Sequence, residues 1–250
     1  MAVVISVDAD IARVSRRAAQ RLVTLADAAC AARGAFHLVL SGGTTPRCLY
    51  QTLAAPEFQR TIDWTRVHIY FGDERAVPPD HPDSNYGMAK AALLDHVPIP
   101  PAQIHRIDVA FASVRQDAAH YAQTLARSAP QDAQGVPQFD LILLGMGPDG
   151  HTASLFPSSC ILREQHRCVA AVYVDKFQTW RVSLTYPVLN HARHLLFLVT
   201  GADKAAVVGR VLVTPSPSAA VPVQRIVAQG EVEWLLDRAA AAELPAGIGV

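Results

Sequence analysis

The chain is 250 residues long, half of them apolar, and its 22 basic side chains are matched by 22 acidic ones. That length supplies a substantial core and is read as one α/β domain over residues 1–250. A balanced charge offers no sequence-wide field for nucleic acid or an acidic membrane surface, so neither partner is expected and an anionic ligand has to be held locally.

In chain order, the first strand is "AVVISVD" (2–8), a short apolar run with no basic segment before it, so no secretory signal is expected. From Asp10 to Gly34 the apolar residues Ile11, Val14, Ala18, Leu22 and Leu25 follow helical spacing up to a glycine stop. "FHLVLSGG" (36–43) is a strand, followed by a helix over Pro46–Ala54 with the proline suited to its first turn. "RVHIYFGDE" (66–74) is the next strand, and Ser84 to Leu94 is a helix capped by Ser84 or Asp83. The loops "VPIPPAQ" and "APQDAQGVPQ" stand on either side of a helix over Val114–Ser128. Further strands follow at "FDLILLGMG" (139–147), "CVAAVYV" (168–174), "WRVSLT" (180–185) and "HLLFLVTG" (194–201). A helix over Ala202–Arg210, an extended loop "TPSPSAAVP" (214–222) and a last short element around "EVEWLLD" complete the chain.

Short β-branched runs alternating with Ala-rich helical segments predict an α/β fold: a single doubly wound, mostly parallel sheet with helices on both faces. No stretch reaches the ~18 uninterrupted apolar residues of a spanning helix, so a cytoplasmic protein is expected. The four cysteines (Cys30, Cys48, Cys160, Cys168) lack zinc-type spacing, and no metal site is implied.

The motifs with chemical content all follow predicted strands, where ligands bind in open α/β sheets. In "LSGGTTP", Gly42 and Gly43 allow close backbone approach, while Thr44 and Thr45 offer hydroxyls before a helix N-terminus that favours an anion. The same residues could form only a tight turn with a threonine cap. In "YFGDERAVPPDHPDSNYG", Asp73, Glu74 and Arg75 are consecutive charges that cannot share one environment, so one is expected in the cleft and another at the rim. The alternative is a solvated charge cluster.

"LILLGMGPDGHTASLFP" carries a buried-looking strand into three glycines that can present Asp149 and His151 at the sheet end. A histidine with a pKa near 6.5 suits a general base, and a neighbouring carboxylate can orient it. The alternative is a loop histidine capping a helix that starts near Thr152. Backbone N–H groups from Gly145 to Gly150 are candidate oxyanion donors. Arg181 in "WRVSLTYPVLN" and Lys204 in "TGADKA" could grip phosphate or stand as solvated cations. His96, His105, His120 and His194 are read as surface or packing residues.

Taken together and in order, "LSGGTTP", "FGDERAVPPDHPDSNYG", "LLGMGPDGHTASLFP", "RVSLTYPVLN" and "GADKA" resemble the 6-phosphogluconolactonase family over roughly residues 5 to 235. The resemblance implies a Rossmann-like fold shared with glucosamine-6-phosphate deaminase. It also implies hydrolysis of a phosphorylated sugar lactone, 6-phospho-D-glucono-1,5-lactone, without a cofactor. Gly42, Gly43, Thr44, Thr45, Arg75, Arg181 and Lys204 would then hold the phosphate and sugar hydroxyls, with Ser41 and Asp73 beside them and His151 as the base. The related deaminases carry a carboxylate five residues after the histidine, where this chain has Phe156, and an aromatic residue where it has Arg75. Both departures favour the lactonase over an isomerase or deaminase. A non-catalytic sugar-phosphate sensor is the other alternative, and the DNA-binding helix-turn-helix of such regulators is not expected before a chain that opens on a strand. A monomer or small homo-oligomer is expected.

Overall fold

The structure, a computed structural model, describes residues 3–109, 113–213 and 220–248. Ten strands are present among them: β1 (Val3–Asp8), β2 (Phe36–Leu40), β3 (Val67–Phe71), β4 (Asp73–Arg75), β5 (Ile104–His105), β6 (Leu141–Leu144), β7 (Val169–Val174), β8 (Thr179–Leu184), β9 (His194–Val199) and β10 (Glu231–Asp237). Seven form a wholly parallel sheet in the order β1-β10-β9-β6-β2-β3-β5. All of β6 is buried, as are all but the first residue of β9, which is why both read as unbroken apolar runs.

The helices follow from local chemistry. Asp10 accepts from the Arg13 N–H at 2.9 Å and caps the helix Ile11–Arg33. Gly34, at φ 88°, ends it in the left-handed conformation that glycine adopts without strain, with its N–H on the Cys30 carbonyl. Val14, Ala18 and Leu22 from the expected apolar face are buried there. The helix Val114–Ser128 has the expected bounds, and its Tyr121 hydroxyl bridges the Phe71 N–H and carbonyl at the end of β3. Among the described residues no helix is long and apolar enough to cross a membrane.

Three departures from the sequence reading matter. β7 and β8, expected in the parallel sheet, instead pair antiparallel with each other and with β4 in a separate three-stranded sheet. Only residues 175–178 connect β7 to β8, and a parallel crossover needs about a dozen residues or more. The run read as one strand over 66–74 divides at Gly72, whose N–H joins the Leu40 carbonyl in the large sheet while its carbonyl accepts from Leu184 in the small one. The helix expected from Pro46 starts at Thr44, and the one expected over Ser84–Leu94 is an α-helix, Asn85–Ala89, capped by Ser84 and continued as a π-turn, Lys90–Leu94. Ala2 of the first predicted strand and residues 214–219 of the predicted extended loop lie outside the described residues.

The chain leaves β2 toward β3 on one side, while β6 and β9 lie on the other. That reversal of direction opens a crevice at the carboxyl ends of β2 and β6. The small sheet brings its β4–β8 pair to the same crevice.

Candidate active site

A cleft of about 460 Å³ occupies the crevice, within the range of small-molecule sites. Its lining includes Ser41, Gly42, Gly43, Thr44 and Thr45 after β2, Asp73 and Arg75 of β4, His151 after β6, Arg181 of β8 and Lys204 after β9. Of the residues singled out from the motifs, Glu74, Asp149 and Gly150 are outside this lining, and Asp149 touches His151 from behind.

The loop after β2 is held from below. The buried Tyr50 hydroxyl donates to the Ser41 carbonyl at 2.7 Å and accepts from its N–H at 2.9 Å. Gly43 sits at φ 108°, and a Cβ on Gly42 would lie 1.9 Å from the Asn85 amide oxygen, so neither position tolerates a side chain. Thr45 is fixed by a 2.7 Å hydroxyl contact with Thr200 at the end of β9. Thr44 and Thr45 open an 11-residue helix without a side-chain cap, so the alternative of a mere threonine cap does not hold.

The Asp-Glu-Arg cluster divides its charges between environments, as strand alternation requires. Glu74 turns away from the cleft. Its carboxylate accepts from the N–H groups of Arg75, Asn85 and Tyr86 and from the Ser84 hydroxyl, fixing the loop that follows. Burial raises its pKa against those hydrogen bonds. Asp73 is buried, accepting from the Ser154 hydroxyl at 2.6 Å and the Asn85 amide at 3.1 Å. The rim expected for one charge is occupied by Arg75, which donates to the Asp83 carbonyl at 2.6 Å.

Arg75 and Arg181 stand directly opposite each other in the antiparallel β4–β8 pair. Like charges in that relation are unfavourable, and the nearest carboxylate oxygen to Arg181 is on Asp73, 3.8 Å away. The Nε of both arginines is buried, with no hydrogen-bond partner among the described residues. Burial, joined by Arg75, pulls the Arg181 pKa down while Asp73 opposes it. Two guanidinium groups lining one cleft have the charge and geometry that suit a multiply charged anion. Lys204 lines the same cleft, with its ammonium 2.6 Å from Asp203.

The turn after β6 depends on glycine at two positions. Gly150 lies at φ 76° with Val221 packed where a Cβ would be, and a Cβ on Gly147 would lie 2.1 Å from the His151 ring. His151 is stacked on Phe156, with ring centroids 4.0 Å apart. Its Nδ1 meets Asp149 Oδ1 in a short hydrogen bond, and the same oxygen accepts from the His151 N–H at 3.2 Å. Lys176 donates to the other oxygen at 3.1 Å. Burial lowers the His151 pKa, and Asp149 only partly restores it. The imidazole is therefore neutral near pH 7, with Nε2 as its basic atom. Burial pushes the Asp149 carboxyl up, but hydrogen bonds from His151 and Lys176 outweigh it and hold the pKa at about 2.

No helix follows Thr152, so His151 is not a helix cap. Nor can the whole turn supply oxyanion donors. The Gly147 N–H is taken by the His151 carbonyl and the Gly150 N–H by the Gly147 carbonyl.

A family model described as glucosamine-6-phosphate isomerases/6-phosphogluconolactonase matches residues 9–234. The chain belongs to this family. Among its relatives in the family, the 6-phosphogluconolactonase of Synechocystis sp. is 43% identical over 216 residues, covering 86% of this chain and 88% of its own. That of Streptomyces coelicolor is 40% identical over 240 residues, covering 93% and 91%. The solved 6-phosphogluconolactonase from Trypanosoma brucei superposes with a TM-score of 0.86 at 31% identity, covering 98% of this chain and 99% of its own. A monomeric glucosamine-6-phosphate deaminase, at 19% identity and a TM-score of 0.78, shares the fold.

Within this family fold, sequence reasoning missed Asn85, Ser154, Thr200 and Lys176. Asn85 and Ser154 lie inside the quoted motifs, but Asn85 packs against Gly42 of the loop after β2 and Ser154 donates to Asp73 of β4, both distant in sequence. Lys176 lies in the short turn between β7 and β8, where nothing in the local sequence marks it.

Proposed function

We propose that the chain hydrolyses 6-phospho-D-glucono-1,5-lactone to 6-phospho-D-gluconate. What supports this reading is one pairing of features in a single cleft: Arg75 and Arg181, which line it and face each other across the β4–β8 pair, and a neutral His151 backed by Asp149. The first suits a phosphate and the second suits a water to be deprotonated.

In this mechanism Arg75 and Arg181 take the 6-phosphate, with Lys204 and the Gly42–Thr45 loop beside them. Ser41 contributes to the wall for the sugar hydroxyls. Asp73 holds Arg181 in place while its oxygens are themselves held by Ser154 and Asn85. Binding energy from the phosphate, remote from the reacting carbon, then positions the lactone. His151 Nε2 removes a proton from water as it attacks the carbonyl, and returns it to the departing ring oxygen. Asp149 keeps the Nδ1–H in place and stabilises the imidazolium between the two transfers. The acting unit is the chain as one α/β domain over residues 1–250, a monomer or small homo-oligomer in the cytoplasm.

The first test is lactone hydrolysis with fresh substrate, coupled to NADP reduction by 6-phosphogluconate dehydrogenase and corrected for spontaneous opening. Acceleration over buffer is the expected result. No acceleration with the phosphosugar still bound would make the chain a sensor, and ammonia release from glucosamine 6-phosphate would make it a deaminase. Phe156 argues against the latter: it stacks on His151 and packs under Arg181, an apolar surface where a ring-opening carboxylate would have to stand.

Two further outcomes follow from the site. Because the base must be neutral and burial lowers its pKa, kcat/KM is expected to be flat at neutrality. It should fall on the acid side through an apparent pKa below the ordinary ~6.5 of histidine. An acid limb above that value would contradict the assignment of His151. Gly147→Ala is expected to drive the imidazole off Asp149 and lower kcat by about 100-fold, while circular dichroism reports an intact fold. Wild-type kcat in that variant would mean that the observed ring position is not the working one.

A further inference from the structure

The base and its carboxylate belong to the turn after β6, yet the carboxylate is also held from the other sheet. Asp149 has two oxygens and both are used. Oδ1 serves the His151 ring and backbone N–H, while Oδ2 receives the Lys176 ammonium at 3.1 Å. Lys176 is in the 3-10 turn Asp175–Phe177 at the tip of the β7–β8 hairpin. That tip is a built structure. Gln178 closes it at φ 49°, with its side chain donating to the Asp175 carbonyl at 2.8 Å and its amide oxygen accepting from the Tyr173 hydroxyl at 3.2 Å. The neighbouring Phe177 meets Phe156 edge-on with centroids 5.8 Å apart, and the Arg181 guanidinium lies 5.1 Å from the Phe177 ring. One hairpin thus supplies Arg181 to the cleft, covers the ring on which His151 stacks, and grips the residue behind His151.

We propose that Lys176 is a positioning residue of the lactone-opening reaction, fixing the Asp149 carboxylate by the oxygen that His151 leaves free. The proposal rests on the lactonase reading given above. A carboxylate held at one oxygen can rotate about its Cβ–Cγ bond and release the imidazole. Held at both, it cannot, and the Nδ1–H stays directed away from substrate. The ammonium also draws negative charge from Asp149, which weakens its pull on a proton at His151. The base therefore remains free to lower pH than a bare Asp–His pair would allow. The charged groups around His151 are Asp149 on its own turn, Asp73 and Arg75 of β4, Arg181 of β8, Asp203 and Lys204 after β9 in the same cleft, and Lys176 behind Asp149. Of these, Lys176 is half exposed and is not part of the cleft lining among the described residues, so it can be changed without emptying the anion receptor.

The test compares Lys176→Met, which keeps the aliphatic stem, with Lys176→Arg, which keeps the charge. In Lys176→Met, kcat is expected to fall about fivefold with KM unchanged. The acid limb of the pH profile should move up by about half a unit, the size proper to a half-exposed charge. Lys176→Arg should restore both. The His151 imidazole titration, followed by NMR on the full chain without substrate, should show the same upward movement in Lys176→Met. This readout needs no turnover, so an inactive wild-type protein would sink the lactonase reading and leave the Lys176–Asp149–His151 coupling separately measurable. An unmoved His151 titration in Lys176→Met overturns the proposal. So does a raised KM with an unchanged pH profile, which would make Lys176 a substrate contact.

Discussion

Replacing His151 by alanine is expected to lower kcat by about 10²–10⁴-fold and to leave KM nearly unchanged. Among the described residues lining the cleft, the imidazole is the one group that is neutral at pH 7 and carries a free basic nitrogen. It does not belong to the receptor proposed for the phosphate, namely Arg75, Arg181, Lys204 and the loop after β2. Removing it therefore takes away proton transfer and little ground-state binding, the signature of an interaction made in the transition state. The chemistry limits the size of the loss. An activated ester opens in water unaided, so the catalyst has a smaller barrier to lower than in amide or phosphate hydrolysis, and the variant's rate must be read against the spontaneous one. His151→Gln is the control for shape, since it fills part of the same volume over Phe156 without a basic nitrogen. It should be as slow as the alanine variant. Coupled assays of both variants settle the matter: a kcat equal to wild type would remove His151 as the base.

The positions of the motifs were readable because four of the five follow a strand of the parallel sheet, the exception being the Arg181 motif on β8. An apolar strand that runs into glycines has to turn at the carboxyl edge, and β2, β6 and β9 all turn there into the cleft. Helix limits were readable where a cap fixes them, as at Asp10, Gly34 and Ser84. The second sheet was overlooked because "CVAAVYV" and "WRVSLT" have the composition of buried strands in either kind of sheet. Their real signal was the connection between them, too short for a crossover helix. That one feature decides that Arg181 faces Arg75, because antiparallel pairing with β4 sets the register. The motifs could nominate both arginines, but they could not show them opposed across the strand pair, with Arg181 buried beside Asp73. Glu74 is the opposite case: adjacent to Asp73 and equally acidic in sequence, it is spent on the backbone of Asn85 and Tyr86 and never reaches the cleft. Which of two neighbouring charges enters a site depends on strand alternation and on the donors of a loop about ten residues away.

Replacing either arginine of the opposed pair by methionine is expected to raise KM by about 10–100-fold, the value of one charge-assisted contact to phosphate, with kcat changed much less. The two variants should differ in stability. Arg75 gives up one hydrogen bond, to the Asp83 carbonyl, and its loss relieves the repulsion across the β4–β8 pair. Arg75→Met should therefore melt close to wild type. Arg181 is buried beside Asp73, and without it that carboxylate keeps only its Ser154 and Asn85 donors. Arg181→Met leaves a buried charge without its cation and should melt several degrees lower. Lys204→Met should raise KM less than either, because the Lys204 charge is already shared with Asp203. Inorganic phosphate supplies the measurement that needs no turnover. It should raise the melting temperature of the wild-type protein, because a ligand for two guanidinium groups brought together by the fold binds the folded state alone. The effect should vanish in the Arg75→Met/Arg181→Met double variant. If phosphate still protects the double variant, or if the single variants lose kcat at constant KM, then the arginines act at the reacting carbonyl and the anion is held elsewhere in the cleft.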